Sequence, residues 1–505
     1  MIVLGITIAY LLVSLAVGLW PSRRSSDSAD GFVAGDRSLG LLVMYFITGA
    51  TIFSAFAFLG APGWAYSRGA AVFYVLGYGA LGFIPFYFLG PRAARLGRAF
   101  GFVTQGEMVA ARFDSRALAG TMAVVATLAF IPYLALQMKG AGHVLFVVSH
   151  GKIPVALGAA LVYLVVLAYV LGSGVLGVGW TNTFQGMFMM VLAWGLGLYL
   201  PWKLYGSVSG MFERIAEVRP EWLVAPGLAA DGGAWSWSEY STAVLVSAIG
   251  FSFWPHLFMK AFTAKDLRTI RRTVVLYPTF QLFLVPIFLI GFSGVLFHST
   301  PESPDQILPH MLMELKLPAV WVGLFCAGAL AASMSSGDAM AHACASIIVR
   351  DGVVRAGKKR LTPHAERSLI RFMLLLVLIA AYVTAMAYEG SLVSLLLLAF
   401  GPVGQFAPVV FAALYWRRAN GRAVMTGLVL GSVTTIMLSL YPEWRPFPWH
   451  AGVFGWLANI AALVSMTMLA RDGAHAPEQD RFVEIAAGRR SAVTKEDHRD
   501  RRCRR

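Results

Sequence analysis

Apolar residues do not alternate with polar ones along this chain; they run. The stretches 157–170, 274–296 and 372–387 carry no charge at all, and such runs approach the roughly 20 residues that an α-helix needs to cross a bilayer. Read between charged or Gly/Pro-rich stretches, they give about thirteen spans, centred near residues 11, 50, 81, 132, 163, 192, 251, 285, 332, 379, 403, 431 and 461. The first, 2–20, has no basic residue ahead of it and no convincing small-residue cleavage site, so it reads as a membrane helix rather than a signal peptide. The expected fold class is therefore all-α and polytopic.

Composition agrees. Of 505 residues, 58% are apolar and only 13% charged, with a mean hydropathy of +0.67, whereas soluble domains carry about 25% charged residues. Lys and Arg gather in four loops, around Arg92, Arg95, Arg98, Arg112 and Arg116; Lys265, Arg268, Arg271 and Arg272; Arg355, Lys358, Lys359, Arg360 and Arg367; and Arg417, Arg418 and Arg422. Thirteen alternating helices put all four on one side, the cytoplasmic one by the positive-inside rule. The opposite side receives the acidic segments 205–239 and 298–316. The N-terminus is thus expected outside and the C-terminus inside.

The formal net charge of +15 needs no nucleic acid, since basic loops facing anionic lipid account for it. Residues 472–505 read as a basic, disordered cytoplasmic tail, polar and without hydrophobic periodicity. Cys326 and Cys344 share one expected helix and stand about 27 Å apart, too far to bond. Cys503 falls in the cytoplasmic tail, where thiols stay reduced.

Polar and helix-breaking residues at membrane depth are costly and usually functional. The second span holds Thr48-Gly49-Ala50-Thr51-Ile52-Phe53-Ser54, followed by Gly60, Ala61, Pro62 and Gly63, a composition that permits local unwinding with carbonyls turned toward a cation. The seventh span is interrupted by Trp254-Pro255-His256, and proline removes a backbone donor. Two interrupted helices, each opening a set of five (spans two to six and seven to eleven), point to an inverted-repeat transporter with its site at the midplane. The ninth span adds Ser333-Met334-Ser335-Ser336-Gly337-Asp338. Its hydroxyls, with the carbonyl of Ala332, offer oxygens to a hard cation such as sodium; the bland reading is that they bond back to the preceding turn. Asp338, one turn on, requires a partner or a proton.

These residues resemble the sodium:solute symporters, which include proline, sugar, pantothenate and monocarboxylate carriers. Four stretches carry the resemblance: Gly35-Asp36-Arg37-Ser38-Leu39-Gly40; Trp180-Thr181-Asn182-Thr183-Phe184-Gln185; Pro255-His256 with Lys260 and Ala264-Lys265-Asp266; and Ala399-Phe400-Gly401 through Pro408, with Leu414-Tyr415-Trp416-Arg417-Arg418 and Gly427. The resemblance covers about nine-tenths of the chain. It implies two inverted five-helix repeats with broken first helices, one extra helix before them and two after. The matching segments here are 1–37 for the extra helix and loop, 38–205 and 240–418 for the repeats, 206–239 for the outer loop between them, and 419–471 for the last two helices.

The resemblance also implies a sodium site formed by the carbonyls of Ala50, Phe53 and Ala332 and the hydroxyls of Ser335 and Ser336. Two departures bear on the ion. Asn182 stands where many members have aspartate, and Ile52 where the proline carriers do; the coupling ion is expected to be Na+, with H+ as the alternative. The stretch Ile131-Pro132-Tyr133-Leu134-Ala135-Leu136-Gln137 looks like the monocarboxylate branch. Lys139, in the same helix, either neutralises a substrate carboxylate at mid-depth or snorkels outward or pairs with Asp338. Ser54, Gln137, Lys139, Asn182, Trp254, His256 and Asp338 are the candidate substrate-binding or coupling residues.

The expectation is thus a secondary transporter in the cell membrane that moves a small organic solute, a monocarboxylate or an amino acid. It needs no organic cofactor, no nucleic acid and no obligatory protein partner, only solute, ion and lipid. An enzyme is disfavoured because no two histidines share a metal-binding spacing. A transporter-like sensor is the third class, and with about 34 residues after the last helix it would need a separate signalling partner.

Overall fold

The computed structural model describes residues 2–24, 28–389, 399–470 and 477–489. Among them are eight helices long and apolar enough to cross a membrane, or up to ten when each of two bent pairs counts as one span, with a shorter apolar helix at Ala399–Tyr415. The centres of the thirteen expected stretches all fall on helices, several of them too short, bent or merged to count singly, and the start of the eleventh stretch lies outside the described residues.

One merger is instructive. The helix Val155–Tyr205 has 51 residues, about 76 Å if straight, more than twice the hydrocarbon thickness. Gly174, at φ 56 and ψ −144, breaks it. A Cβ built on Gly18 would lie 2.7 Å from Tyr169 and 2.9 Å from Thr181, two residues that a straight helix would separate by about 18 Å. The chain therefore doubles back at Gly174, a backbone conformation that only glycine adopts readily, and the fifth and sixth expected spans are the two arms.

Both expected breaks are present. Leu41–Ile52 ends at Phe53 (φ −76, ψ 74), and a π-helical turn, Phe56–Gly60, leads into Ala61–Arg68; the bend is 57°. Neither glycine nor proline sits at the break itself. Packing enforces it: the Phe280 ring occupies the space that a side chain on Gly49 would need, and Phe53 lies against Phe280 and Phe283, with centroids 5.0 and 4.5 Å away. The second break separates Trp237–Phe251 from Pro255–Phe258 and bends by 42°. Pro255 takes the first helical position, where its missing N–H costs nothing.

The loops sort to two ends. Arg98 donates to the carbonyls of Ala264 and Lys265, Arg92 to that of Leu414, and Arg112 to those of Trp416 and Arg417. Asp114 and Arg116 share a cavity with Arg355 and Lys358 to Arg360. All four basic loops thus meet at one end. At the other, Trp222 donates to Tyr66 O at 2.8 Å, and a Cβ on Gly63 would lie 2.8 Å from Pro304 O, so both acidic segments gather around residues 63–69.

The tail departs from expectation in part. Pro477–Ala487 is a helix, with Phe482, Val483, Ile485 and Ala486 buried. Phe482 stacks on Phe100 at 5.8 Å and lies tilted against Phe102 at 6.3 Å, Arg95 donates to Ala486 O at 2.9 Å, and Arg417 faces Asp480 and Glu484. Phe482, Val483, Ile485 and Ala486 form one apolar face, which docks on Phe100 and Phe102 at the basic end. Residues 490–505, with most of the basic run and Cys503, lie outside the described residues.

Candidate functional site

The broken second span supplies carbonyls because its hydrogen-bond ladder is diverted at the break. Ser54 N–H donates to Ile52 O at 2.8 Å and Phe53 N–H to Gly49 O at 3.2 Å, so the Ala50 carbonyl has lost its partner four residues on. The Ala319–Ile347 helix fills the gap with side chains. Ser335 Oγ donates toward Ala50 O at 3.0 Å and lies 3.2 Å from Ala332 O; Ser336 Oγ donates to Thr51 O at 2.6 Å. Ala50, Ala332, Ser335 and Ser336 are fully buried, and Phe53 is nearly so. Ser335 thus meets Ala50 and Ala332, Ser336 meets Thr51, and Phe53 stands next to them in the chain at the break. The donor set is wholly oxygen and uncharged, which suits a hard monovalent cation.

Asp338 closes the back of this cluster. Its carboxylate, fully buried, accepts from the Tyr169 hydroxyl at 2.7 Å, the Thr181 hydroxyl at 3.1 Å and the Asn182 amide at 3.1 and 3.2 Å. Asn182 Oδ1 faces the Thr51 hydroxyl at 3.0 Å. A continuous polar chain thus runs from Thr51 at the break through Asn182 to Asp338. The doubling back at Gly174 makes it possible, by setting Tyr169 and Thr181 side by side. Tyr169 and Thr51 escaped the sequence reading, since only tertiary contact gives them a role.

A second group of polar atoms faces the other side of the break. Ser54 Oγ, Gln137 Nε2, Trp254 Nε1 and His256 Nδ1 are buried without a hydrogen-bond partner among the described residues. Gln137 is held by its other amide atom, which accepts from Ala55 N at 2.8 Å, while its backbone carbonyl takes Ser333 Oγ at 2.7 Å. Aromatic rings link the group: Tyr133 and Phe130 lie 5.2 and 5.7 Å from Trp254, His256 5.6 Å, and Phe400 5.4 Å. Buried polar atoms are rarely left unmet, and here four sit at the two broken helices and the Arg116–Val148 helix beside them.

Lys139 is not part of either group. Its ammonium donates to Tyr388 O at 2.7 Å and shares a cavity of about 250 Å³ with His143, Asp305 and Glu389 at the acidic end. The expected placement at mid-depth and the alternative pairing with Asp338 are both corrected. The helix Arg116–Val148 has 33 residues, so Lys139 rides about 10 Å past its middle, beyond the break.

Residues 32–431 match the model of the sodium:solute symporter family. The chain belongs to that family. It is 27% identical to an uncharacterised symporter of Bacillus subtilis, YhjB, over 91% of this chain and 96% of the other. It is 25% identical to the sodium/pantothenate symporter of Escherichia coli (86% and 89%) and 23% to a monocarboxylate transport permease of Rhizobium johnstonii (89% and 92%). Among solved structures it superposes on a Na+-coupled sialic acid symporter with a TM-score of 0.75 at 20% identity, covering 93% of this chain and 98% of that one. Mhp1, a nucleobase-cation-symport-1 family transporter, gives 0.59 at 15%. Membership makes this symporter a membrane transporter and not an enzyme, and sodium-coupled transport is the activity for which the family is named.

Proposed function

We propose that this protein carries a small organic solute, a monocarboxylate or an amino acid, into the cell with Na+ by alternating access. The observation that carries the reading is the convergence of the Ser335 and Ser336 hydroxyls on the Ala50 and Thr51 carbonyls at a helix break. Ala50, Phe53, Ala332, Ser335 and Ser336 would hold the ion, whose charge would draw these carbonyls and hydroxyls together when bound. Ser54, Gln137, Trp254 and His256 would meet the solute. Indole and amide N–H groups are donors only, so the solute must offer acceptors, as a carboxylate does, with the rings of Phe130, Tyr133 and Phe400 around its apolar part.

In this reading the chain has thirteen spans in the cell membrane, with repeats 38–205 and 240–418 each opening on a broken helix. The basic end faces the cytoplasm, so the N-terminus lies outside and the C-terminus inside. One observation favours protons as the alternative ion: Asp338 is a fully buried carboxylate whose hydrogen-bond partners are all neutral. The test is uptake by proteoliposomes of labelled pyruvate, lactate, acetate, alanine, proline and pantothenate, under an imposed sodium or proton gradient. At least one solute should accumulate on a sodium gradient alone; accumulation driven only by protons overturns the sodium assignment.

A further inference from the structure

The basic end holds a cavity that the transport site does not use. Its volume is about 600 Å³, and Arg116, Arg355, Lys358, Lys359 and Arg360 line it against a single acid, Asp114. Ser115 caps the Arg116–Val148 helix by accepting from Leu118 N–H, so the positive end of a 33-residue helix opens into the same space.

A second cavity, about 740 Å³, continues along the same two walls. Its lining starts at Ala117 where the first stops at Arg116, and it includes Ala356 beside Arg355. It is apolar, bounded by Gly120, Val124 and Leu128 on one side and Ile348, Gly352 and Ala356 on the other. Nothing lies within 4 Å of a Cβ placed on Gly352, so the lane is open there. Its two hydroxyls already have partners, Thr127 with Ala123 O and Thr121 with Met425 Sδ. From Arg116 to Leu128 is about 18 Å along the helix, close to the roughly 15 Å of one leaflet's hydrocarbon.

We propose that the two cavities are one site for an anionic phospholipid, its phosphate among the five cations and one acyl chain in the apolar lane. A free phosphate would use only the first cavity. The lane, whose lining takes up at Ala117 and Ala356, each one residue on from a basic residue of the first cavity, is what assigns the site to a lipid.

The test uses the full-length protein, purified in detergent and exchanged against phosphatidylglycerol in a phosphatidylcholine background, with retained phosphatidylglycerol counted per protein. Neutralising Lys358, Lys359 and Arg360 to Gln should weaken retention by about 100-fold, at roughly fivefold per cation. Gly352→Leu, which blocks the lane and leaves every charge in place, should weaken it as well. Neutralising Lys265, Arg268 and Arg272, the same charge removed from another basic loop, should leave it unchanged, as should added inorganic phosphate. Variants are compared only as monodisperse proteins, which is expected because Lys358, Lys359 and Arg360 are exposed. Retention unaffected by the triple Gln variant overturns the site. Retention unaffected by Gly352→Leu, or lost to inorganic phosphate, shows a simple anion pocket and overturns the lipid.

Discussion

At the scale of single residues, Ser335 and Ser336 each bring one oxygen to a helix end whose ladder is already broken. Removing either hydroxyl takes a ligand from a small, uncharged set, so Ser335→Ala and Ser336→Ala should each raise the sodium concentration for half-maximal uptake by about tenfold, the worth of one hydrogen bond to a charged group. An unchanged sodium dependence in the double variant would remove the site. Asn182 offers a sharper contrast. Its amide nitrogen donates toward both oxygens of Asp338, at 3.1 and 3.2 Å, so Asn182→Asp sets two carboxylates against each other in a buried space, where both stay ionised only if a cation shares them. With sodium at the break, apparent sodium affinity should rise. If the protein runs on protons, the variant should instead shift the pH profile of uptake and leave sodium without effect. Initial rates against sodium at several fixed pH values distinguish the two. Ser335 and Ser336 stand out in the sequence as a hydroxyl cluster in an apolar run, and Asn182 through the resemblance, standing where many family members have aspartate. Thr51 and Tyr169 do not, because each gains its meaning from a contact more than 100 residues away, which no local spacing encodes.

Among the elements, the breaks differ in how openly the sequence declares them. The second is written in Pro255. The first falls at Phe53 to Ala55, where neither glycine nor proline stands, and the glycine, proline and hydroxyl residues on either side permit it without marking its place. Lys139 was misread for a related reason: position within a run gives depth only when the helix ends are known, and this helix is 33 residues long. The tail helix is the third case. Eleven residues, four of them buried apolar ones, are too short to form a stable helix in water alone, and a polar reading of the tail follows; docking on Phe100 and Phe102 supplies the missing stabilisation. Phe482→Ala removes both ring contacts and a buried side chain, a loss of about 3 kcal/mol where the site cannot collapse. Since a short helix has little else to hold it, the variant should undock rather than repack. Limited trypsin digestion should then release the C-terminal peptide faster than in the wild type while uptake-competent protein remains. Equal protection in both would mean that Arg95, Asp480 and Glu484 suffice without the ring.

For the whole molecule, the proposed alternating access requires that the two ends open in turn, and at the basic end the described contacts form a closed seam. Gly35, Asp36 and Arg37 all take left-handed backbone conformations (φ 58, 51 and 57), costly for the two non-glycine residues. The turn delivers the Arg37 guanidinium to three carbonyls, those of Phe262 at 3.1 Å, Gly97 at 3.0 Å and Phe102 at 3.1 Å. Beside it the chains run together, Leu39 N–H donating to Thr263 O at 3.2 Å and Lys265 N–H to Leu39 O at 2.9 Å. The start of the first broken helix is therefore pinned to the end of the second, directly between the proposed solute site and the basic end. Nearby, Arg350 joins Asp30, Glu107 and Glu366, tying three further elements into the same end. Opening this end means withdrawing Arg37 from its carbonyls, and the strained turn stores part of what that requires. Arg37→Ala should thus favour the open state. A cysteine placed at Ser54, fully buried at the helix break, should react with a membrane-impermeant thiol reagent about tenfold faster in the Arg37→Ala background, the equivalent of one lost charged hydrogen bond. The reagent should act from the basic side of inside-out vesicles and not from the acidic side. Concentrative uptake should fall with it, since a carrier held open at one end cannot complete its cycle. If the cysteine reacts no faster, or reacts faster from the acidic side, then Arg37 holds the turn alone and the seam must open elsewhere.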